Sequence, residues 1–128
     1  MPIRFERDPL SESVIGAAME VHSIIGPGYF ESQYEEALAR ELQLRDILFE
    51  RQKIVPLTYK GLAIGEYRLD FLVDGQLVVE LKAVDCLAPV HTAQVLAYLK
   101  ATKLRIGLLI NFNAASLRNG LKRIVLDK

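Results

Sequence analysis

VVELKAV, residues 78–84, combines the pattern of a buried β-strand with two charged side chains. Its valines and leucine are typical of a core strand, whereas Glu80 and Lys82 stand two positions apart. Alternate residues of a strand share a face, so this acid and this base are expected on the same side of the sheet. Because buried charges are costly unless they are paired or bind something, the stretch marks a candidate site.

A second charged strand, EYRLDFLV, residues 66–73, precedes it across an Asp-Gly pair. In both strands the odd-numbered positions are apolar, and the charged residues occupy even-numbered positions. A two-residue turn would pair odd with even positions and send the two apolar sets to opposite faces. A three-residue loop, for example residues 73–75 with the glycine left-handed, pairs odd with odd positions and buries both sets together. This register predicts that Asp70, Glu80 and Lys82 share one face.

Two helices are predicted before these strands. Asp8 or Ser11 caps the first, with Pro9 tolerated at its start. The apolar stripe of this helix consists of Leu10, Val14, Ala17, Val21 and Ile24. The second helix is expected over about residues 29–47. Its apolar face carries Tyr34, Leu38 and Leu42.

The remaining segments complete an α-α-β-β-β-α-β order. Pro56 limits the strand KIVPLTY, residues 53–59, to the edge of a sheet or to a bulged conformation. Pro89 begins a third helix, and the apolar run LRIGLLI, residues 104–110, predicts a strand covered on both faces. The final residues, 117–128, are ambiguous between a short helix and a strand. The order predicts an α/β fold, a mixed sheet with helices packed on it.

Composition limits the class of protein. A chain of 128 residues with 51% hydrophobic and 25% charged residues predicts one globular domain, residues 1–128. Basic and acidic residues number 16 each, which argues mildly against a nucleic-acid partner without excluding a local basic patch. A lone Cys86, a start unlike a signal peptide and no run of membrane-spanning length predict a cytoplasmic protein without a membrane segment. The residues available for a basic patch are Lys100, Lys103, Arg105, Arg118, Lys122 and Arg123.

Polar residues on the helices bear on the meaning of the charged hairpin. Taken alone, the hairpin is better explained as a solvated face with surface ion pairs. However, Glu31 and Glu35 lie one turn apart on the stripe of Tyr34, which predicts that both point inward. Gln94 and Tyr98 form a similar pair on the third helix, and such groups need partners. Carboxylates that converge beside a lysine are suited to a hard divalent cation, with the lysine orienting a water.

The order of these residues resembles a known family. Asp70, then Glu80-x-Lys82, then Gln94-x-x-x-Tyr98 resembles the PD-(D/E)XK nuclease superfamily, in particular its exonuclease branch with a Q-x-x-x-Y helix. The resemblance implies a restriction-endonuclease-like fold and metal-dependent cleavage of phosphodiester bonds in DNA or RNA.

A second motif narrows the resemblance. GYFESQY, residues 28–34, is similar to the signature of the GxxExxY protein family within that superfamily, and the similarity extends over about residues 14–125. The proline that precedes the aspartate in the superfamily is replaced here by Leu69.

The resemblance also implies roles for individual residues. Asp70 and Glu80 would ligate Mg²⁺ or Mn²⁺, with Glu31 as a further metal ligand and Glu35 as the competing candidate. Lys82 would position or deprotonate the attacking water. Gln94 and Tyr98 would orient Lys82 or contact the nucleic-acid backbone.

Two classes of function remain open at this stage. The first is a metal-dependent nuclease acting on nucleic acid. The second is a non-catalytic nucleic-acid-binding or protein-interaction module that keeps the nuclease fold. The sequence also leaves open whether the chain works alone, as a homodimer or with a protein partner. His22 and His91 are expected to be hydrogen-bonded packing residues, and Cys86 a buried small residue.

Overall fold

A five-stranded mixed sheet with helices on both faces forms the fold, in a computed structural model that describes residues 8–127. The helices are α1 (Pro9–Ile25), α2 (Glu31–Leu44) and α3 (Pro89–Thr102). The strands are β1 (Phe49–Tyr59), β2 (Leu62–Val73), β3 (Leu77–Lys82), β4 (Ile106–Asn111) and β5 (Leu121–Val125). A 3-10 helix, Leu117–Gly120, precedes β5. The predicted restriction-endonuclease-like α/β fold is confirmed, with β5 as an additional strand.

The strands lie in the order β1-β2-β3-β4-β5, and only β3 and β4 are parallel. The parallel pair is joined through α3, because parallel neighbours need a long crossover connection. One core cluster lies between the sheet and the pair α1 and α2, and a second lies between the sheet and α3. The sheet is therefore buried on both sides, and β3 sends Val79 into the first cluster and Val78 into the second.

The β2–β3 hairpin has the predicted odd-with-odd register. Phe71 pairs with Val79 and Val73 with Leu77, and all four side chains pack in the cluster beneath α1 and α2. The connection is a three-residue loop, as expected, but it consists of residues 74–76 rather than 73–75. Asp74 and Gly75 both have positive φ, 52° and 67°, which lets the loop close one residue later than predicted.

The prediction that all odd-numbered residues of β2 bury together is wrong. Leu69 packs in the cluster beneath α3, although Phe71 packs on the opposite side of the sheet. The change of side occurs at Asp70, beyond the Phe71–Val79 pair where the β2–β3 register ends. It also lies opposite Gln52 of β1, whose backbone has a positive φ of 51°. The strand therefore departs from a regular alternation at the residue that carries the candidate site.

The two predictions about strand position are confirmed. β4 is covered on both faces, because Leu108 and Ile110 pack beneath α1 and α2 and Leu109 packs beneath α3, and it is paired by β3 and β5. β1 is an edge strand that contains Pro56, and its register with β2 shifts between Leu57 and Thr58. The ambiguity over residues 117–128 is settled for the described part of that segment as a 3-10 turn followed by a strand.

The helices differ from the predicted bounds mainly at their ends. Asp8 caps α1, since its carboxylate accepts a hydrogen bond from the Ser11 amide at 3.2 Å. Ile24 is 70% exposed, so its place in the predicted stripe is wrong. Val21 is followed on the inner face by Ile25, four residues on, because a helix has 3.6 residues per turn. Within residues 8–127, no helix has the length and apolar character needed to cross a membrane.

Candidate active site

The candidate site lies where β2 and β3 separate. In a regular antiparallel ladder, Asp70 and Glu80 would be the next pair of opposite residues after Phe71 and Val79. Here the backbone amides of Asp70 and Leu81 donate to side-chain carboxylates instead of backbone carbonyls. Asp70 Oδ2 accepts a hydrogen bond from the Leu81 amide at 2.8 Å. The Asp70 amide in turn donates to Glu80 Oε1 at 3.4 Å. The break in the ladder therefore holds the two acids side by side.

Burial and mutual repulsion act on these acids in the same direction. Glu80 is only 5% exposed, and desolvation together with the neighbouring charge of Asp70 raises the pKa of Glu80 to about 8. Desolvation likewise raises the pKa of Asp70, even though the Leu81 amide favours its ionised form. A site that destabilises its own negative charge in this way is suited to bind a cation.

Lys82, the last residue of β3, lies beside this acidic group. Its positive charge partly offsets the rise in the pKa values of Asp70, Glu80 and Glu31, so it acts on all three carboxylates. Its ammonium forms no ion pair within 4.0 Å in the part of the chain that the structure describes. Lys82 is therefore near the acids without being tied to one of them.

The two acids of α2 differ in their surroundings. Glu31 is the first residue of the helix and is exposed, so it lies at the rim of the site rather than in the interior as predicted. Desolvation and the charge of Asp70 raise the pKa of Glu31. Glu35 is more buried, and β1 occupies both of its oxygens. Arg51 Nε donates to Oε2 at 3.1 Å and Gln52 Nε2 to Oε1 at 2.9 Å.

The third helix contributes Tyr98 to the other side of the site. Tyr98 is buried, and its ring meets that of Tyr67 edge-on at 4.7 Å. Desolvation, with the charges of Glu80 and Asp70, raises the pKa of the Tyr98 phenol, so the phenol stays protonated. Gln94 is half-buried one turn earlier. No hydrogen bond joins either side chain to Lys82 within residues 8–127, so that contact stays a prediction.

The GYFESQY segment positions the start of α2. Gly28 has a φ of 105°, and its amide donates to Asn113 Oδ1 at 3.2 Å. The Tyr34 hydroxyl donates to the Gly26 carbonyl at 2.6 Å. These contacts fix the turn between α1 and α2. Gly28 and Tyr34 therefore hold the backbone of this turn in position, and Glu31 lies between them in the sequence.

Sequence reasoning missed two residues that support the site. Asn111 is 3% exposed, and its amide forms a pair of hydrogen bonds with the backbone of Val84, at 3.0 Å and 2.9 Å. This pair holds the chain just after Lys82. The sequence did offer a signal for Asn111, because it is a polar residue at the end of the apolar run of β4. Gln52, which donates to Glu35 and to Asp70 Oδ1 at 3.4 Å, had no comparable signal.

The histidines and the cysteine lie in local structures. His22 Nε2 is 2.8 Å from the Ala114 carbonyl, and His91 Nδ1 accepts the Ala88 amide at 2.9 Å at the start of α3. Both are hydrogen-bonded, as expected. The expectation for Cys86 is wrong, since its side chain is exposed. It lies in the bend after β3, which leaves the sheet before α3 begins.

The basic residues considered for a patch fall into different settings. Lys100, Lys103 and Arg105 line one cavity at the end of α3, together with Asp127. Arg123 instead donates to Ser11 at 2.8 Å in α1.

The donor set of the site fits a hard divalent cation. Asp70 and Glu80 offer carboxylate oxygens, the ligands that Mg²⁺ and Mn²⁺ prefer. The raised pKa values of both show that their negative charge lacks full compensation from the protein. Among residues 8–127, no three His, Cys, Asp or Glu side chains are grouped closely enough to hold a metal by themselves. A third ligand from α2 therefore stays a prediction.

Comparison with known proteins gives one result. The model of the PD-(D/E)XK nuclease superfamily matches residues 8–124, from the cap of α1 into β5. Neither the curated proteins nor the solved structures include a significant match to this chain.

Proposed function

The chain belongs to the PD-(D/E)XK nuclease superfamily, and on that premise we propose that it is a divalent-metal-dependent nuclease that hydrolyses phosphodiester bonds of DNA or RNA. The observation that carries the proposal is the pair Asp70 and Glu80, held together at the break between β2 and β3 with Lys82 beside it. The backbone roles of Gly28 and Tyr34 around Glu31 support membership of the GxxExxY family within the superfamily.

Each residue has a distinct part in this proposal. Asp70 and Glu80 hold Mg²⁺ or Mn²⁺, which when bound supplies Lewis acidity toward a phosphate oxygen. The Lys82 ammonium orients the attacking water and stabilises the charge that develops on the phosphate. Tyr98 keeps its proton, so its hydroxyl is a hydrogen-bond donor to this site or to the nucleic-acid backbone. Gln94, one turn earlier on the same helix, has the same role.

Glu31 is favoured over Glu35 as the further metal ligand. Arg51 already compensates the charge of Glu35 through an ion pair at 3.1 Å, whereas the Glu31 carboxylate has no ion pair and accepts no hydrogen bond within residues 8–127. Withdrawing Glu35 would break its ion pair with Arg51 and its hydrogen bond with Gln52, so that Arg51 would keep only Glu36 and Gln52 only Asp70. Glu31 needs only a change of side-chain rotamer at the rim.

The test is cleavage of mixed single- and double-stranded DNA and RNA in Mn²⁺, with EDTA as the blank. Wild-type protein should cleave at least one substrate, and Lys82→Ala should lower the rate by about a hundredfold or more, the scale of losing one charge-stabilising donor. Lys60→Ala, an exposed lysine in the β1–β2 turn, is the matched control and should retain the rate. Equal rates in Lys82→Ala and wild type, or metal-independent cleavage, would contradict the proposal.

One observation favours the second candidate, a non-catalytic binding module. Sixteen basic and sixteen acidic residues leave no net charge to attract a polyanion, which favours a requirement for a partner, either a second copy or another protein. Nucleic-acid or protein binding without cleavage in Mn²⁺ would support that alternative.

The lone cysteine, exposed at Cys86, supports a reducing compartment, and we propose a cytoplasmic location on that ground.

A further inference from the structure

Gln52 has a backbone conformation that its place in the fold does not require. Five non-glycine residues within 8–127 have positive φ. Four of them, Asp46, Lys60, Asp74 and Lys103, lie in turns. Gln52, at 51°, lies inside β1. A left-handed glutamine in a strand is uncommon and carries a free-energy cost, and such conformations concentrate at functional sites.

The side chain of Gln52 shows what this conformation achieves. Its Nε2 donates to Glu35 Oε1 at 2.9 Å and to Asp70 Oδ1 at 3.4 Å. Consecutive residues of a regular strand point to opposite faces, so Arg51 and Gln52 should not reach the same partner. Here both bind Glu35, because the left-handed backbone at Gln52 turns the two side chains to one side. The strain therefore creates a continuous series from Arg51 through Glu35 and Gln52 to Asp70.

This series fixes the orientation of Asp70 at both oxygens. Oδ2 accepts the Leu81 amide at 2.8 Å, and Oδ1 accepts the amide of Gln52. Gln52 is neutral, so it orients the carboxylate and leaves its negative charge in place. A lysine or an arginine at this position would cancel that charge. Glu35 is a close neighbour of Asp70, since the same Gln52 nitrogen bonds both, but its two oxygens accept hydrogen bonds from Gln52 and Arg51 of β1.

We propose that Gln52 is a positioning residue for the metal site: it sets the orientation of the Asp70 carboxylate toward the cation and holds Glu35 back as a support rather than a ligand. The inference rests on the proposed function, since it assigns Asp70 as a ligand. Groups that orient metal ligands typically change metal affinity by 10–100-fold when they are removed.

The test measures Mn²⁺ affinity by calorimetry and the free energy of unfolding of the metal-free protein by urea titration. Gln52→Gly removes the side chain and also relieves the left-handed backbone. It should weaken Mn²⁺ binding about 10–100-fold while the metal-free protein stays as stable as wild type or becomes more stable. Gln52→Ala should show the same loss of Mn²⁺ affinity with lower stability, because alanine keeps the strain.

Lys60→Gly is the matched control. Lys60 also has a positive φ, 48°, in the turn between β1 and β2, so glycine relieves the same kind of strain there. Its Mn²⁺ affinity should equal that of wild type.

Two outcomes separate the inference from the function on which it rests. Undiminished Mn²⁺ affinity in Gln52→Gly, beside a wild type that binds Mn²⁺, overturns the positioning role and leaves the proposed function standing. A wild type that binds no Mn²⁺ overturns both.

Discussion

Glu80 is the residue of the site in which burial and repulsion by neighbouring acids act together on one carboxyl group. It is 5% exposed in a core strand, and among the charged groups around it the acid Asp70 has the largest effect on its pKa. The pKa values of Glu31 and Asp70 are raised as well. Without a metal, the three acids therefore keep their protons to a higher pH than ordinary carboxyl groups do.

We expect the metal-free protein to lose stability as pH rises. Below about pH 4.5, the ordinary pKa, Glu80 is protonated in both the folded and the unfolded state. Between there and its folded pKa of about 8 only the folded state holds the proton, so raising the pH destabilises it. One such group contributes at most about 1.4 kcal/mol per pH unit. Urea titrations in EDTA at a series of pH values should show this slope.

Glu80→Gln removes the titrating group, so the slope should become smaller. The remaining slope comes from Asp70 and Glu31. Glu66→Gln, an exposed acid of β2, is the control and should keep the wild-type slope. An unchanged slope in Glu80→Gln would show that Glu80 does not carry the shift.

The residues that sequence could identify were those whose position follows from strand alternation. Glu80 and Lys82 alternate with the buried Val79 and Leu81 of the regular strand β3, whereas Asp70 lies where β2 departs from alternation, so parity did not fix its side. The role of Gln52 could not be predicted, because its position does not follow from strand alternation. Its contact with Asp70 depends on a backbone conformation that glutamine rarely adopts, and no propensity indicates it.

At the scale of elements, the turn before α2 depends on one tyrosine. The Tyr34 hydroxyl donates to the Gly26 carbonyl at 2.6 Å and accepts the Tyr29 amide at 3.2 Å, while its ring stacks on Phe112 at 4.6 Å. The hydroxyl therefore holds the backbone, and the ring belongs to the core.

Tyr34→Phe should lower the free energy of unfolding by about 1–2 kcal/mol, because the ring contacts remain but two backbone groups lose their partner. Thermal or urea unfolding measures this change. Tyr29→Phe removes a hydroxyl that has no hydrogen bond within the described residues and should leave stability unaltered. Equal stability of the two variants would mean that the Tyr34 hydrogen bonds do not hold the turn.

Asn111 performs a similar task after β3. Asn111→Ala leaves the amide and carbonyl of Val84 without their side-chain partners and should destabilise the protein by about 1–3 kcal/mol. Urea unfolding of this variant beside Asn119→Ala, an exposed asparagine, provides the comparison. A loss in Asn119→Ala as large as in Asn111→Ala would contradict a specific role.

Elements were predicted where one period of hydrophobicity dominates. The apolar run of β4 and the stripe of Tyr34, Leu38 and Leu42 in α2 are of this kind, and these side chains are buried apart from Ile106, which is half-buried. The prediction failed for Leu69 because β2 changes side at Asp70. A period-two pattern assumes a regular strand, and nothing in the pattern marks where that regularity ends.

At the scale of the whole molecule, the order of elements could be predicted, but the place of β5 could not. The helical crossover and the apolar run of β4 indicated a mixed sheet with helices packed on it, and β3 and β4 form its parallel pair. Residues 121–125 have a mixed polar pattern, and they become a strand because the outer edge of β4 needs hydrogen-bonding partners.

Cation binding should stabilise the whole fold, because only the folded state brings Asp70 and Glu80 together. At a hundredfold excess over Kd, Mg²⁺ or Mn²⁺ should add about 2.7 kcal/mol, visible as a higher Tm. Asp70→Asn should keep or raise the stability of the metal-free protein, since it relieves repulsion, and should abolish the metal-induced rise in Tm. Equal rises in wild type and Asp70→Asn would instead support the non-catalytic alternative.

No strand within residues 8–127 pairs with the outer edge of β1, and this has a consequence for how molecules of this protein meet at high concentration. An exposed regular edge offers a template on which the strand of another molecule can dock, and repetition of that step builds insoluble polymers. Pro56 has no amide hydrogen to offer, and the shift between Leu57 and Thr58 interrupts the spacing of the remaining groups. An incoming strand therefore finds no continuous run of partners, and this side of the sheet resists edge-to-edge aggregation.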